Sequence, residues 1–202
     1  SVRDAAPAQS FWRLWSTDTQ GSFPEALPMP RAFSASYAPD GRHLAYQELT
    51  LAFTPDWYEA SMWRHYRGGR VRPITVLNVA DNSIEKLPWT NSNDSLPMWV
   101  GNTIYFLSDR NHTINLFAYR TDTKQLTQVS RHEDFDVMTA SGGPDAVVYE
   151  QAGDIYLVDG KGGQPKKVDI QVTGDFPWAR PQFKRVASMI RNSALSPTGV
   201  RV

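Results

Sequence analysis

The sequence predicts an all-β fold, and within that class an incomplete β-propeller built of four-stranded antiparallel blades. Three observations support this prediction. Aromatic residues, which favour strands, are abundant, at seven Trp, eight Tyr and nine Phe. Fourteen Pro and 13 Gly divide the chain into short segments, as frequent turns require. A tight turn followed by an alternating apolar run recurs along the chain, which is typical of repeated blades.

The recurring unit is visible in three aligned segments. Each has a polar approach, a turn built on Pro, Asp or Gly, and then an apolar run typical of a strand. The segments are FSASYAPDGRHLAYQE at 33–48, DSLPMWVGNTIYFLSDR at 94–110 and MTASGGPDAVVYEQAGD at 138–154. A fourth copy starts with NSALSPTGVRV at 192–202.

A second hairpin completes each unit. In the middle copy, NLFAYRTD at 115–122 and KQLTQVS at 124–130 read as two strands joined by a polar turn. Each unit therefore has four antiparallel strands in roughly 40 residues, the period of propeller blades. An immunoglobulin-like sandwich is the structural alternative, but it does not need the same turn signature three or four times. The predicted units are a half blade at 10–30, a blade at 33–90 with an insertion at 49–72, blades at 94–130 and 136–172, and the start of another at 190–202.

This division predicts that the chain is part of a longer protein. A half blade at one end and an opening blade at the other would leave strand edges without partners. We therefore expect an open arc whose exposed blade edges are covered by a neighbouring copy, as in a homo-oligomer, or by self-closure of the chain.

The composition argues against several classes of partner. Lys plus Arg and Asp plus Glu are equal at 21 each, so the chain lacks the basic excess with which nucleic-acid-binding domains displace counterions. The absence of cysteine excludes disulfides and thiolate metal sites. No apolar run approaches the ~20 residues of a membrane span. We expect no nucleic-acid partner, no membrane contact and no cofactor.

The motifs of common hydrolases are also missing. There is no G-x-S-x-G elbow, and His132-Glu133 is not followed by the second histidine of a zinc protease motif. The acidic loop from His132 to Asp136 could hold a cation, but a loop between blades is usually just polar. GKGGQ at 160–164 lacks the spacing of a phosphate-binding loop and reads as a hairpin turn. We expect no catalytic residue and no metal ligand in this chain.

The first blade is longer than the others because of an insertion. Gly41 and Gly101, which occupy matching turns, are 60 residues apart, whereas the next interval, to Asp145, is 44. The surplus falls between the second and third strands and includes MWRHYRGGR at 62–70. Its Gly68-Gly69 pair is expected to turn the chain back toward a strand near Ile74.

The insertion admits two main interpretations. Its aromatic residues could fold back and cover neighbouring blades, since aromatic side chains bury a large apolar area. Alternatively, its arginines could line a channel rim and bind peptide carboxylates through charge-assisted hydrogen bonds. An RGG-type RNA element is a third reading, but such elements are repetitive and disordered. The candidate peptide-binding residues here are Trp63, Arg64, Tyr66, Arg67 and Arg70.

Two further candidates belong to SDRNH at 108–112, which follows a strand. Asp109 and Arg110 could lie at the channel rim and touch a peptide. The alternative is an Asp-Arg pair that, with Asn111, stabilises the turn into the next strand.

Several of these segments resemble a known family. SYAPDGRHLAY resembles the repeat of TolB-like propellers, which tricorn proteases and relatives of prolyl oligopeptidase share. WRHYRGGRVRPITVLNV, MWVGNTIYFLSDRNHTINLFAYRTDTKQLTQVSRHEDFDV and GPDAVVYEQAGDIYLVD are more specific. They resemble consecutive blades of the N-terminal propeller of tricorn-type proteases and their bacterial homologues. The resemblance extends from about Phe11 to Val202.

The resemblance implies a multi-domain serine peptidase with a PDZ-like domain and a catalytic domain of the carboxyl-terminal-processing type downstream. Unfolded peptides would be its substrates. No catalytic residue of the family maps onto this chain, so the resemblance implies a non-catalytic propeller that scaffolds the peptidase and filters peptide access to it. A cytoplasmic location follows from the resemblance, with a periplasmic one left open.

Two alternatives remain at this point. One is a TolB-like protein-binding propeller without peptidase activity. The other is the propeller of a prolyl-oligopeptidase-type enzyme.

Overall fold

A computed structural model describes residues 2–4, 11–48, 65–69 and 71–200, with only the backbone described for residues 2–4, 11 and 12. The chain divides into two compact units, Ser1–Asp169 and Ile170–Val202. The described residues of the first unit form sixteen β-strands. None of the helices in the described ranges is long and apolar enough to cross a membrane.

Two short antiparallel ribbons come first. β1 (Val2–Asp4) pairs with β2 (Phe11–Arg13), and β3 (Trp15–Ser16) pairs with β4 (Glu25–Ala26). The assignment of residues 10–30 to a half blade stays a prediction.

Three four-stranded sheets follow. Sheet 1 contains β5 (Ser34–Tyr37), β6 (His43–Gln47), β7 (Ile74–Asn78) and β8 (Ile84–Lys86). Sheet 2 contains β9 (Asp94–Val100), β10 (Thr103–Ser108), β11 (Asn115–Arg120) and β12 (Leu126–Gln128). Sheet 3 contains β13 (Val137–Gly142), β14 (Ala146–Gln151), β15 (Asp154–Asp159) and β16 (Lys166–Lys167).

Within each sheet every strand pairs antiparallel with the next strand along the chain. The prediction of an all-β fold built of four-stranded antiparallel blades is therefore confirmed. The exact blade boundaries stay predictions. The insertion lies between β6 and β7, which are the second and third strands of sheet 1.

Successive sheets are held together by apolar cores. Sheet 2 contributes to two of them, because alternate residues of its strands point to opposite faces. Ile104 and Phe106 pack with Ala45 and Ile74 of sheet 1. The other face forms the second core, which contains Tyr105, Leu107, Leu116, Val147, Tyr149 and Val158. A third core joins sheet 1 to the preceding segment and contains Met29, Ala32, Leu44, Tyr46 and Leu77.

The first strands of the three sheets lie next to one another, with β9 in contact with both β5 and β13. Each of them is an end strand of its own sheet. β9 carries a bulge at Leu96, which has a φ of 50°, followed by Pro97. Proline lacks a backbone N–H, so it is tolerated at this position because β9 has a ladder partner on one side only. The register of β13 also shifts, next to Met138.

The second unit contains two short 3₁₀ helices, Pro177–Ala179 and Ala187–Met189. Its described residues form no strand, and an ion pair joins Arg180 to Asp175. The prediction that residues 190–202 open a further blade stays a prediction.

Phe106 tests the role of the core between sheets 1 and 2. It is fully buried and stacks on Phe117, with ring centroids 6.1 Å apart. We expect Phe106→Ala to lower the free energy of unfolding by about 3–5 kcal/mol, since it removes apolar contacts and leaves a cavity. Phe135 is largely exposed, so Phe135→Ala should change that free energy by less than about 0.5 kcal/mol. Urea denaturation measures both, and equal losses would contradict the assigned core.

Candidate functional site

The structure describes four of the seven predicted site residues. Tyr66 and Arg67 belong to the end of the insertion, and Asp109 and Arg110 follow β10. Trp63, Arg64 and Arg70 lie outside the described residues.

The end of the insertion is fastened to sheet 2 by side-chain hydrogen bonds. The Arg67 guanidinium donates to Asp109 Oδ2 at 2.7 Å. Asn93 donates its side-chain N–H to the Tyr66 carbonyl at 3.0 Å, and Asn91 donates to the Arg67 carbonyl at 3.4 Å. We call Tyr66, Arg67, Asn93 and Asp109 the docking cluster. Two of its members come from the insertion and two from sheet 2 and its approach.

Asp109 is the anchor of the docking cluster. Only 2% of its side chain is exposed, and both carboxylate oxygens have partners. Oδ1 accepts the backbone N–H of Asn93 at 2.8 Å, and Oδ2 accepts the Asn93 side-chain N–H at 2.8 Å in addition to Arg67. Arg67 keeps 37% of its side chain exposed. Asp109 is thus occupied by the protein itself, whereas Arg67 still faces solvent.

A ring contact lies beside the docking cluster. His65 of the insertion stacks on His112, with centroids 4.3 Å apart and planes 14° from parallel. Both residues have positive φ, at 58° and 80°. The next residues along the insertion form the predicted turn, in which the Val71 N–H donates to the Gly68 carbonyl at 3.1 Å. A Cβ on Gly68 would collide with the Tyr66 ring.

Arg110 points into the protein instead of toward the rim. Its guanidinium donates to Asp94 Oδ2 at 2.9 Å, and only 8% of the side chain is exposed. The guanidinium also lies over the rings of Phe106 and Phe117, at 5.3 and 5.0 Å from their centroids. One interpretation of the sequence paired Asp109 with Arg110. In the structure Asp109 instead pairs with Arg67, and Arg110 pairs with Asp94.

Asn93 and Asp94 were not among the residues predicted from the sequence. Asp94 accepts hydrogen bonds from the Ser92 and Ser108 hydroxyls at 2.8 and 2.6 Å. Burial raises the pKa of Asp94, although Arg110 and both serines favour its ionised form. The feature of the sequence that could have indicated them is the polar run NSNDS at 91–95. Its last four residues are buried in the structure.

The first strands of the three sheets form a groove. Ser34 and the Leu96 N–H both donate to Gln47 Oε1, at 3.2 and 3.3 Å, and the Trp99 N–H donates to Ser36 Oγ at 2.9 Å. These bonds fix β9 against sheet 1. The groove has a volume of about 250 Å³ and is lined by Ser34, Ala35, Ser36, Leu96, Pro97, Met98, Ala140, Ser141 and Gly142.

The acidic loop considered as a cation site has structural contacts. The His132 ring is hydrogen-bonded to the Tyr149 hydroxyl at 3.0 Å, and burial lowers the pKa of His132. Asp136 accepts the Ile114 N–H at 2.9 Å. Within the described ranges, no group of three or more His, Cys, Asp or Glu residues could hold a metal ion.

The two charged residues of the docking cluster should contribute unequally to the free energy of unfolding. Asp109→Ala should lower the free energy of unfolding by about 3 kcal/mol, since it leaves a buried N–H and a guanidinium without an acceptor. Arg67→Ala should cost about 1 kcal/mol or less, because solvent reaches its site. Asp122, in an exposed ion pair with Arg120, is the control, and Asp122→Ala should leave the free energy of unfolding nearly unchanged because solvent screens an exposed pair. Urea denaturation provides the comparison, and an Asp109 effect no larger than that of Asp122 would refute the anchor role.

A family model provides the first comparison with known proteins. Residues 1–164 match the model of the tricorn protease N-terminal β-propeller domain. Among curated relatives, a tricorn protease homolog from Saccharolobus solfataricus is 28% identical over 134 residues, which cover 66% of this chain and 12% of that protein. Tricorn protease homolog 1 from Streptomyces coelicolor is 29% identical over 157 residues, which cover 76% of this chain and 15% of that protein. The chain thus spans only a small part of the length of these relatives.

Solved structures share the fold. The crystal structure of the tricorn protease matches 81% of this chain and 15% of its own chain, with a TM-score of 0.62 and 20% identity. A TolB structure from Agrobacterium tumefaciens matches 82% of this chain and 58% of its own, with a TM-score of 0.58 and 16% identity. At these identities the matches show the fold alone. The family model covers most of the chain, so the protein belongs to the family of tricorn protease N-terminal β-propeller domains, as its blade motifs predicted.

Proposed function

We propose that this chain is the non-catalytic propeller portion of a tricorn-like serine peptidase, and that it scaffolds a downstream peptidase domain and filters the peptides that reach it. The observation that carries the proposal is the groove along β5, β9 and β13, in a chain that belongs to the tricorn propeller family. The PDZ-like and peptidase domains expected downstream are part of the same proposal.

The chemistry of the groove suits a polypeptide that passes without being held. Its lining contains no ionisable side chain and several small ones, such as Ser36, Ala140 and Ser141. Because β5 and β13 are end strands, one side of each of these backbones can offer transient hydrogen bonds to an extended peptide, whereas the Leu96 and Trp99 N–H groups of β9 are already bonded to Gln47 and Ser36. A folded protein would be excluded by its size.

Peptide contact at the rim is assigned to the exposed part of the insertion. Among the candidate residues that the structure describes, Arg67 has a partly exposed charged side chain, and Tyr66 is its neighbour in the chain. The proposal places Trp63, Arg64 and Arg70 with them as a surface for peptide carboxylates. The burial of Asp109 and Arg110 supports a different role for these two, which is to position the rim and not to touch the peptide.

The filter can be tested in a protein that carries this propeller together with its peptidase domain. Ser141→Trp should lower kcat/KM for an unfolded polypeptide by about tenfold or more, because the indole narrows the groove. Cleavage of a fluorogenic dipeptide should be unchanged, since a short substrate passes the obstacle. Thr123→Trp, at the exposed turn before β12, is the matched control and should affect neither substrate.

Three results would count against the proposal. Equal losses in the Ser141 and Thr123 variants, or a loss with both substrates, would exclude the groove as the route. Cleavage of an unfolded peptide by the isolated chain would show that the propeller is itself catalytic.

We propose that the homo-oligomer expected through exposed blade edges also covers the exposed face of sheet 3. Val148, Ile155 and Leu157 lie on this face, and each is about two-fifths exposed, at 40%, 38% and 41%. An apolar sheet face of this kind is stabilised when it is covered. We propose that a second copy covers it.

Light scattering after gel filtration tests this assembly. The wild-type chain should be larger than a monomer, and Leu157→Lys should shift it toward the monomer by placing a charge in the contact. Val172, exposed in the second unit, provides the control Val172→Lys, which should leave the assembly intact. A monomeric wild-type chain would contradict the proposal.

A further inference from the structure

A cleft opens between sheets 1 and 2 at the end of the strands opposite the docking cluster. It lies beside the β5–β6 turn at Asp40 and the β9–β10 turn at Gly101 and Asn102. Its volume is about 480 Å³, within the range of about 300–1,000 Å³ that is typical of ligand pockets. Neither the groove nor the rim uses these residues, so the cleft calls for a separate explanation.

The floor of the cleft is apolar and aromatic. It contains Val76, Trp99 and Tyr119, which lie at the edge of the core between the two sheets. The indole N–H of Trp99 already donates to the Gly101 carbonyl at 3.1 Å. The Trp99 ring is 6.3 Å from the ring of His43 and tilted by 38°. Trp99 therefore offers a ligand its ring surface and no unsatisfied polar group.

The walls carry two contacts between a carboxylate and a basic side chain. Asp40 Oδ2 lies 2.6 Å from His43 Nδ1, and Lys124 donates to both oxygens of Glu85 at 2.7 and 2.8 Å. Hydrogen bonds from the Arg42 backbone N–H and then the His43 side chain lower the pKa of Asp40 to about 2, so Asp40 is ionised at neutral pH. A phosphate or a carboxylate in the cleft would find no cation that lacks a carboxylate partner.

The rim retains a small hydrogen-bonding capacity. Within the described part of the chain, His43 Nε2 and the Asn102 side-chain amide make no hydrogen bond, and both residues line the cleft. The Thr121 hydroxyl donates to the Asn102 carbonyl at 3.0 Å. Two polar groups above an aromatic surface can bind the backbone amide groups that adjoin an aromatic side chain of a polypeptide. A sugar presents several hydroxyls and would leave most of them without partners.

We propose that this cleft is a binding site for an uncharged aromatic side chain of a polypeptide. The aromatic ring packs on Trp99, and the adjoining amide groups bind His43 Nε2 and the Asn102 side chain. Aromatic rings prefer offset or edge-to-face contacts, which an open indole face permits. The site goes beyond the proposed filter, because it lies at the other end of the strands and recognises side-chain chemistry that the groove does not.

Nuclear magnetic resonance of the whole chain can test this assignment with N-acetyl-phenylalaninamide as the probe. The indole N–H signal of Trp99 should shift in a saturable manner, whereas that of Trp89, which is outside the cleft, should not. N-acetyl-lysinamide, inorganic phosphate and methyl glucoside at the same concentrations should leave Trp99 unshifted. A stronger response to any of these three, or no response to the phenylalanine probe, would overturn the proposal.

A pair of matched variants locates the binding. Thr121→Trp fills the cleft and should weaken binding of the probe by about tenfold or more. Thr127→Trp, on the exposed face of β12, adds the same side chain elsewhere and should leave binding unchanged. His43→Gln is the second test, because it removes the imidazole without filling the space, and it should weaken binding severalfold while the thermal midpoint stays near that of the wild type. Unaltered binding in the folded Thr121 or His43 variant would refute the site.

Discussion

Sheet 2 is apolar on both faces, and the arrangement of the first unit depends on this one constraint. Because side chains alternate along β10, Ile104 and Phe106 face sheet 1 while Tyr105 and Leu107 face sheet 3. A sheet of this kind is stable only when it lies between two others. Sheet 3 has the same two-faced character, but Val148 and its neighbours on the outward face are left exposed.

The same packing brings the end strands of the sheets together. β9 lies beside β5 and β13, and Gln47 connects the first two of these strands through hydrogen bonds to Ser34 and to the Leu96 N–H. The bulge at Leu96 and Pro97 occurs where β9 has a ladder partner on one side only. The groove therefore results from the packing of the sheets against one another, and not from the small side chains that line it.

The charged residues divide into those that hold the structure and those that a ligand can reach. Asp109 and Arg110 are consecutive in the chain, yet each is buried against a different partner. Buried charges need partners, since desolvation is costly. Arg67 is hydrogen-bonded to Asp109 and still exposes part of its side chain, so a single residue links the interior of sheet 2 to the exposed end of the insertion.

The all-β class, the four-stranded blades and the family could be predicted from the residues alone, because alternation, turns and repeated motifs are local patterns. The partners of the charged side chains could not, because they depend on how distant segments pack. Arg67 and Asp109 are 42 residues apart, and Arg110 and Asp94 are 16 apart, so no local pattern pairs them. The cleft lined by His43, Trp99 and Tyr119 could not be predicted from the sequence either, because it forms only where sheets 1 and 2 pack against each other.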